Sequence, residues 1–416
     1  MTADTEPDQP AAVSGAAALR HRDFSIYISA KFLVFVSQHM LLFAIAFQIY
    51  EITSDPSLLA YIFVAMAGPT FVFGIITGYV SDRFDRRTVL IAGYLGLAVA
   101  GTGLMTLSYL GLIATALVYG PMMLIGTARA FINPATNAIV PNLVPLAVFP
   151  NAVAWNTVTS KTSQMVGPIL GGFIYTFGPE FVYGAATASF LLGTFGTALV
   201  RPRGAGAKGQ KMTLKQLLAG AVFVWHKKVV LGAILLDLLL MVMASCVYIL
   251  PIIAIDILHV GPAGAGVMRS AMAVGGFLAA FTMTRFPITR HAGRIMFAST
   301  LLVAALSIGM GLSTSLVLSS IIMALIGGAD MISVNIRQIL IQIATPNDMR
   351  GRVGAVSTIA GNSGNELGAV RAGLVAAVFG IVPTIVMGGV IGMIAVGACW
   401  KLFPELAKVQ RFDRVT

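Results

Sequence analysis

Three carboxylates stand where carboxylates are costly. Asp237, Asp330 and Glu366 each interrupt a long apolar run, and at the centre of a membrane helix such a group costs about 2.5–3.5 kcal/mol on insertion scales. A residue kept against that cost is protonated, paired or hydrated, and a proton carrier passes through those states. Arg129, Lys161, Arg337 and, farther outward, Arg371 are the cations that such groups, or a polar cargo, would meet. Fixed ion pairs holding helices together are the other use of the same residues, more so for Arg371. Neutral polar groups break the first, fourth and fifth runs: Gln38 beside Lys31 and Gln48, then Asn133, Asn137, Asn156 and Gln164. They would hydrogen-bond a cargo in a central cavity or join neighbouring helices. His39 has no companion at metal-ligand spacing, so proton handling or packing fits it better than coordination, and no metal site is expected. GAGAKGQK imitates a phosphate loop but places Gln210 where lysine is required, so ATP is not the expected energy source. HExxH and GxSxG are absent. No catalytic residues and no cofactor are expected, and a membrane-embedded enzyme or a channel is poorly supported.

The elements that must position these residues follow from composition. Of 416 residues, 57% are hydrophobic and 10% charged, with a mean hydropathy of +0.88; a soluble domain carries about 25% charge. Long apolar runs without strict alternation predict helices of roughly 20 residues that close their own backbone hydrogen bonds in lipid. They fall at 24–50, 58–81, 88–109, 113–139, 151–176 and 181–200, then at 229–257, 263–285, 295–313, 316–343, 353–378 and 384–402. The expected fold is all-α: twelve transmembrane helices in two six-helix bundles, 21–200 and 229–403. Residues 1–20 are expected to be a disordered cytoplasmic terminus without a signal peptide, and 404–416 a cytoplasmic tail. The linker 201–228 starts Gly-rich; its second part sets Leu214, Leu217, Leu218, Ala221 and Val222 on one face, which suits an interfacial helix or a solvated connection. Cys246 and Cys399 lie in separate runs and read as small buried thiols.

Charge gives these spans a direction. Arg20, Arg22, Arg83, Arg86, Arg87, Arg201, Lys227, Lys228, Arg285, Arg290, Arg350, Arg352 and Lys401 all fall in alternate connections, whereas EITSDPS and HVGPAG contain no Lys or Arg. Both termini are therefore expected inside a cell (inner) membrane, and the net charge of +11 reports orientation rather than nucleic-acid binding. An internal repeat divides the chain. At an offset of 201, Gly126, Pro145, Gly167 and Gly172 meet Gly327, Pro346, Gly368 and Gly373, and around Arg83 and Arg285 the offset is 202. Such a nearly constant offset predicts two pseudo-symmetric halves.

Gly78-x-x-x-Asp82-Arg83-x-Asp85-Arg86-Arg87 resembles the loop between the second and third helices of the major facilitator superfamily, with Asp85 where that family usually has glycine. RAFINPATNAIVPNLVP, VGPILGG and ADMISVNIRQILIQIATPNDMRGRVGAVSTIAGNSGNELGAVRAG resemble the branch of enterobactin exporters and drug or macrolide efflux proteins. The resemblance covers essentially the whole chain. It implies that Gly78, Asp82, Arg83, Arg86 and Arg87 form a conformational latch, Asp82 reaching the start of the eleventh span near Gly351 to Gly354. The alternative is a topogenic charge cluster. Gly167, Pro168, Gly171 and Gly172 of VGPILGG match a pattern associated with proton-exchanging exporters, and also suit a plain packing seam. The implied activity is secondary active export of a siderophore-like or amphipathic drug-like molecule in exchange for protons. Glu366, Asp330, Asp237 and His39 are then the candidate proton carriers. Gln38, Arg129, Asn133, Asn137, Asn156, Lys161, Gln164, Arg337 and Arg371 would line the cavity. The expected partners are a small-molecule substrate and the bilayer, with a monomer as the working unit; an importer or facilitator is the runner-up.

Overall fold

A computed structural model describes residues 16–201, 214–286, 288, 290–346 and 349–409, with the backbone alone at 71, 74–83, 146, 214–217 and 362. In the first half the long helices are α1 (Arg22–Thr53), α2 (Pro56–Arg83), α3 (Arg86–Tyr109), α4 (Tyr119–Ile139), α5 (Phe149–Tyr175) and α6 (Pro179–Leu199). The connection holds α7 (Leu214–His226). The second half contains α8 (Lys228–Ala244), a short turn α9 (Leu250–Ile252), α10 (Gly261–Arg285), α11 (Ala292–Leu312), α12 (Leu316–Ile343), α13 (Arg350–Phe379) and α14 (Ile381–Leu402), then a short α15 (Pro404–Ala407).

Local chemistry sets the ends. Asp85 caps α3 by accepting from the Arg87 amide at 3.2 Å, which satisfies a donor that a helix start leaves open. Proline occupies the first turn of α5, α6 and α10, where its missing N–H is no loss. Gly380, at φ +80°, ends α13 in a conformation side chains resist. The expected seventh span, 229–257, is not one helix. It breaks at Ser245 and Cys246 and resumes as a 3₁₀ turn (Val247–Ile249), α9 and a π-helical stretch over Ile253–Ile257. Pro251 cannot donate a helical hydrogen bond, and the apolar pattern alone did not reveal that interruption. Helix α7 presents Leu218, Val222 and Trp225 outward and seats Val224 and Gly220 on the protein.

Among the described residues, eight helical segments are long and apolar enough to cross a membrane: α1, α3, α6, Lys228–Ile257, α10, α11, α12 and α14. The other four long helices, α2, α4, α5 and α13, carry interior prolines or several polar residues. They pack within the same bundles.

The halves repeat one contact scheme. In the first, α1 packs on α5 and α6, α3 on α4 and α6, and α2 on α4; in the second, α8 packs on α13 and α14, α11 on α12 and α14, and α10 on α12. The equivalence reaches single atoms. A Cβ on Gly126 would stand 1.9 Å from the Met66 carbonyl oxygen, and one on Gly327 would stand 1.8 Å from that of Met272. Only glycine permits these crossings. Between halves, α2 meets α13 and α5 meets α10. The largest apolar core runs through the first half and continues into the second through Leu240 to Ala254, Ala265, Met268 and Ala372. A separate cluster fills the opposite end of the second half, from Val224 and Val229 to Val353 and Leu406. The bundles thus share a core at one end, where Thr53, Tyr175, Gly261 and Phe379 lie, and part toward the other.

Candidate transport site

At the shared end the halves are joined by close backbone approach and by polar contact. Gly172 of α5 faces Pro262 and Gly266 of α10, with 2.7 Å between an added Cβ and the Pro262 carbonyl. Its repeat partner Gly373 faces Pro56 and Ala60 of α2, at 2.8 Å from the Pro56 carbonyl. Tyr50 donates to Asp256 across the halves. Beside it, within the first half, Tyr175 of α5 donates to Glu51 of α1 at 2.6 Å. The Phe63 ring of α2 meets Tyr248 edge-on at 5.7 Å. Gly167 and Gly171 serve a different seam. Their missing Cβ atoms let α5 close on α1 at Val36, His39 and Met40.

Below that end lie two charged groups, the first of which bridges the space between bundles. In the first, Arg129 of α4 stands 3.7 Å from Glu366 of α13, with 29% and 20% of the two side chains exposed. Arg129 also contacts Met66 Sδ at 3.2 Å. Tyr248 donates to Asn365 at 2.7 Å and lies within electrostatic reach of Glu366, Arg129 and Arg269. His39 shares the reach of both arginines while its Nδ1 is 2.7 Å from the Phe35 carbonyl. In the second group, Asp237 of α8 pairs with buried Arg337 of α12 at 2.7 Å. Asp330 lies two turns before Arg337 on α12, within electrostatic reach of Arg337, Asp237 and, from the other half, Lys161. The α4 residues Arg129, Asn133 and Asn137 recur every fourth position, hence on one face. Asn133, Asn137, Lys161 and Gln164 are exposed. Accessible polar side chains on helices that face the other half make a hydrated wall.

Other candidates sit elsewhere. Asn156 is buried and holds Lys31: the ammonium donates to its carbonyl at 3.0 Å, its Oδ1 at 2.7 Å and Ser160 Oγ at 2.8 Å. That arrangement fastens α1 to α5 and leaves only the Asn156 amide, 3.4 Å from Asn137 Oδ1, toward the wall. Gln48 likewise joins Ser108 and Tyr183. Gln38 is buried, with no partner for its Nε2 among the described residues. Arg371 turns into its own half. Its guanidinium lies over Gly388 of α14, where an added Cβ would be 3.1 Å away, so it does not line the space between bundles. Among the described residues it has no carboxylate partner, which removes the fixed-pair expectation. The side chains of Gly78, Asp82 and Arg83 lie outside the described residues. Arg86 donates to the Ala138 carbonyl at 2.7 Å and Arg87 to that of Ala198; both cap helix C-termini of their own half. A Cβ on Gly351 or Gly354 would meet nothing within 4 Å. Arg269 was not singled out from the sequence. Its signal was the one that marked the others, a charge inside an apolar run.

Two equivalent helical bundles, joined at one end and facing each other through charged and accessible polar groups, are the architecture of a membrane transporter built from repeats. The sequence pattern of the transmembrane secretion effector family matches residues 13–415. The chain belongs to that family, within the major facilitator superfamily, and is a multi-pass membrane protein. The enterobactin exporter EntS of Shigella boydii serotype 4 (strain Sb227) is 28% identical over 410 residues, covering 94% of each chain. The crystal structure of a D-xylose-proton symporter superposes with a TM-score of 0.73 at 14% identity, over 93% of this chain and 99% of that one. A bacterial homologue of the iron transporter ferroportin, in its inward-facing state, gives 0.69 at 15% identity, over 93% and 99%. Family and relatives are transporters, not enzymes, and the solved structures share the fold.

Proposed function

We propose that the protein is a proton-coupled exporter that moves a siderophore-like or amphipathic drug-like molecule out of the cytoplasm. The observation that carries the reading is the Arg129–Glu366 pair, which joins the two halves at 3.7 Å on an accessible wall. A carboxylate held by the opposite half in one conformation loses that partner when the halves rock apart. Partner loss favours proton uptake and partner return favours release, so one group can tie proton movement to conformation. Asp330 and Asp237 form the second such group. The similarity to an enterobactin exporter supports export and a siderophore-like cargo. The asymmetry of basic residues supports a cell (inner) membrane orientation with both termini cytoplasmic, which makes the joined end the outer one and this conformation inward-facing. The proton gradient is the energy source, no cofactor is needed, and the monomer is the working unit. The likeness to a proton symporter keeps an importer as the second reading.

In cells expressing the protein, a cargo panel should accumulate less than in control cells, and an uncoupler should erase the difference. Higher accumulation in expressing cells would establish import. Glu366→Gln should abolish uphill, pH-driven efflux from proteoliposomes while downhill exchange persists. If Glu366→Gln, Asp330→Asn and Asp237→Asn all keep full pH-driven transport, coupling lies elsewhere, with His39 first in line. Cysteines introduced at Ser54 and Gly261 should react from outside intact cells and one at Thr88 should not; the reverse overturns the orientation.

A further inference from the structure

Arg269 is a cation at the seam between halves for which the transport scheme above has no use. It lies on α10, eight residues after Gly261, or roughly 12 Å from the joined end at 1.5 Å per residue. Its face of the helix is fixed by Gly266, three residues earlier, which packs on Pro168 and Gly172 of α5. Arg269 therefore lies beside the seam between halves, within electrostatic reach of Tyr248, Cys246 and His39. Among the described residues its guanidinium meets a thioether, Met272 Sδ at 3.8 Å, and no oxygen acceptor. Arg129 of α4 shares Tyr248 and His39 with it as electrostatic neighbours, and Glu366, the carboxylate nearest these residues among the described ones, is committed to Arg129 at 3.7 Å. Two guanidiniums with one carboxylate leave one positive charge in excess at the head of the space between bundles. An uncompensated cation is expensive there, and guanidinium is the side chain best shaped to take a carboxylate through two parallel hydrogen bonds. Aromatic surface adjoins it, since Tyr248 stacks edge-on with Phe63 at 5.7 Å.

From this placement we infer that Arg269, with Arg129, anchors an organic oxyanion: the cargo is an acid, its carboxylate or equivalent oxyanion carried on an aromatic or amphipathic body. This rests on the transporter reading and specifies its substrate class. It also sets a competition, because an anion on the two arginines contests Arg129 with Glu366. Cargo loading then frees Glu366, and removing Glu366 favours loading.

The test is binding to the purified full chain in uncharged detergent, with salicylate and its neutral amide, salicylamide, as size-matched probes. Salicylate should bind at least tenfold more tightly than salicylamide. The preference should vanish in Arg269→Gln, return in part in Arg269→Lys, and survive in Arg371→Gln, whose arginine faces its own half. Glu366→Gln should bind salicylate more tightly than the parent. Equal binding of acid and amide, no binding of either, a preference that persists in Arg269→Gln, or weaker binding in Glu366→Gln overturns the proposal. Should Arg269→Gln not fold, Arg129→Gln must lose the preference instead. Failure of the exporter reading has a different signature, with anion preference intact and no proton-driven movement of any cargo.

Discussion

The two halves share a skeleton and differ in charge. Gly126 on Met66 and Gly327 on Met272 are the same crossing built twice, and the helix pairs repeat around them. Yet the apolar depth of the first half contains only cations, Lys31, Arg129 and Lys161, whereas the second holds all three carboxylates, Asp237, Asp330 and Glu366, with Arg269, Arg337 and Arg371. Duplication supplied the hinge, and divergence supplied the chemistry. The difference teaches where each kind of residue is constrained. Glycines at crossings are fixed by backbone approach in both halves alike. Charged groups are free to differ, because what each needs is a partner somewhere within reach.

The largest effect should fall on the shared skeleton. Gly126→Val and Gly327→Val each force side-chain atoms onto a backbone carbonyl that no rotamer change can move. Neither variant should yield folded protein by size-exclusion chromatography. Tolerance of one but not the other would break the equivalence of the halves.

Next comes the contrast in how the halves bury charge. Arg337→Met leaves Asp237 without its partner, and an orphaned buried charge costs about 3–5 kcal/mol. Lys31 is held by Asn156 and Ser160, neutral groups, so Lys31→Met strands no charge and should cost about 1–3 kcal/mol. Adding Asp237→Asn to Arg337→Met should restore stability in part. Thermal melts that rank Lys31→Met as the more damaging would reverse the comparison.

These contrasts also mark what the sequence could disclose. The long helices, the repeat at 201 and the three carboxylates were legible, because apolar length, a fixed offset and a charge in oil are all one-dimensional signals. The pairing of Arg83 with Arg285 at 202 was a coincidence of residue type: Met66 with Met272 and Pro56 with Pro262 place α2 and α10 at an offset of 206. Partners were not. Lys31 finds Asn156 across 125 positions, and nothing local distinguishes that buried joint from the exposed Asn133 and Asn137 on the hydrated wall. Arg371 and Arg129 look alike in a hydropathy trace, yet one covers a glycine in its own half and the other crosses to Glu366. The break after Ala244 escaped because the run stays apolar, with Pro251 its one marker. Which helix faces which is a tertiary fact, and it decides which polar residues line the space between bundles.

A smaller effect should appear at the seams between halves. Gly172→Leu and Gly373→Leu insert bulk at equivalent points of the joined end, 2.7 and 2.8 Å from carbonyls of the opposite half. Here the bundles can yield by separating, so folding should survive. A shift of about 1.4 kcal/mol changes a two-state ratio tenfold. Both variants should raise labelling of a cysteine placed at the joined end, and by similar factors. Opposite shifts would mean that the two seams are not equivalent hinges.

The finest test lies on a polar clasp at the joined end. From α1 and α8 onward to that end the repeat offset is 205, since Gly167 closes on the Val36 carbonyl where Gly368 closes on that of Met241, and Ser54 and His259 share a positive φ. Tyr50 and Asp256 therefore stand one residue out of register, and their hydrogen bond joins the ends of two equivalent segments. The skeleton is symmetric there and the chemistry is not, since one half donates a phenol and the other accepts with a carboxylate. Divergence at this pair is what makes it a clasp. Tyr50→Phe removes the donor and keeps the ring, which is buried at 3% exposure. A hydrogen bond to a charged group contributes about 1.5–3 kcal/mol, and the exposure of Asp256 to water should reduce this to roughly 1 kcal/mol. The expected outcome is a shift of about fivefold toward the state in which this end opens, with unchanged thermal stability. Asp256→Asn should give a smaller shift, because the amide oxygen still accepts. An unchanged labelling rate in Tyr50→Phe would show that the glycine seams alone hold the end closed, and that the clasp carries no conformational weight.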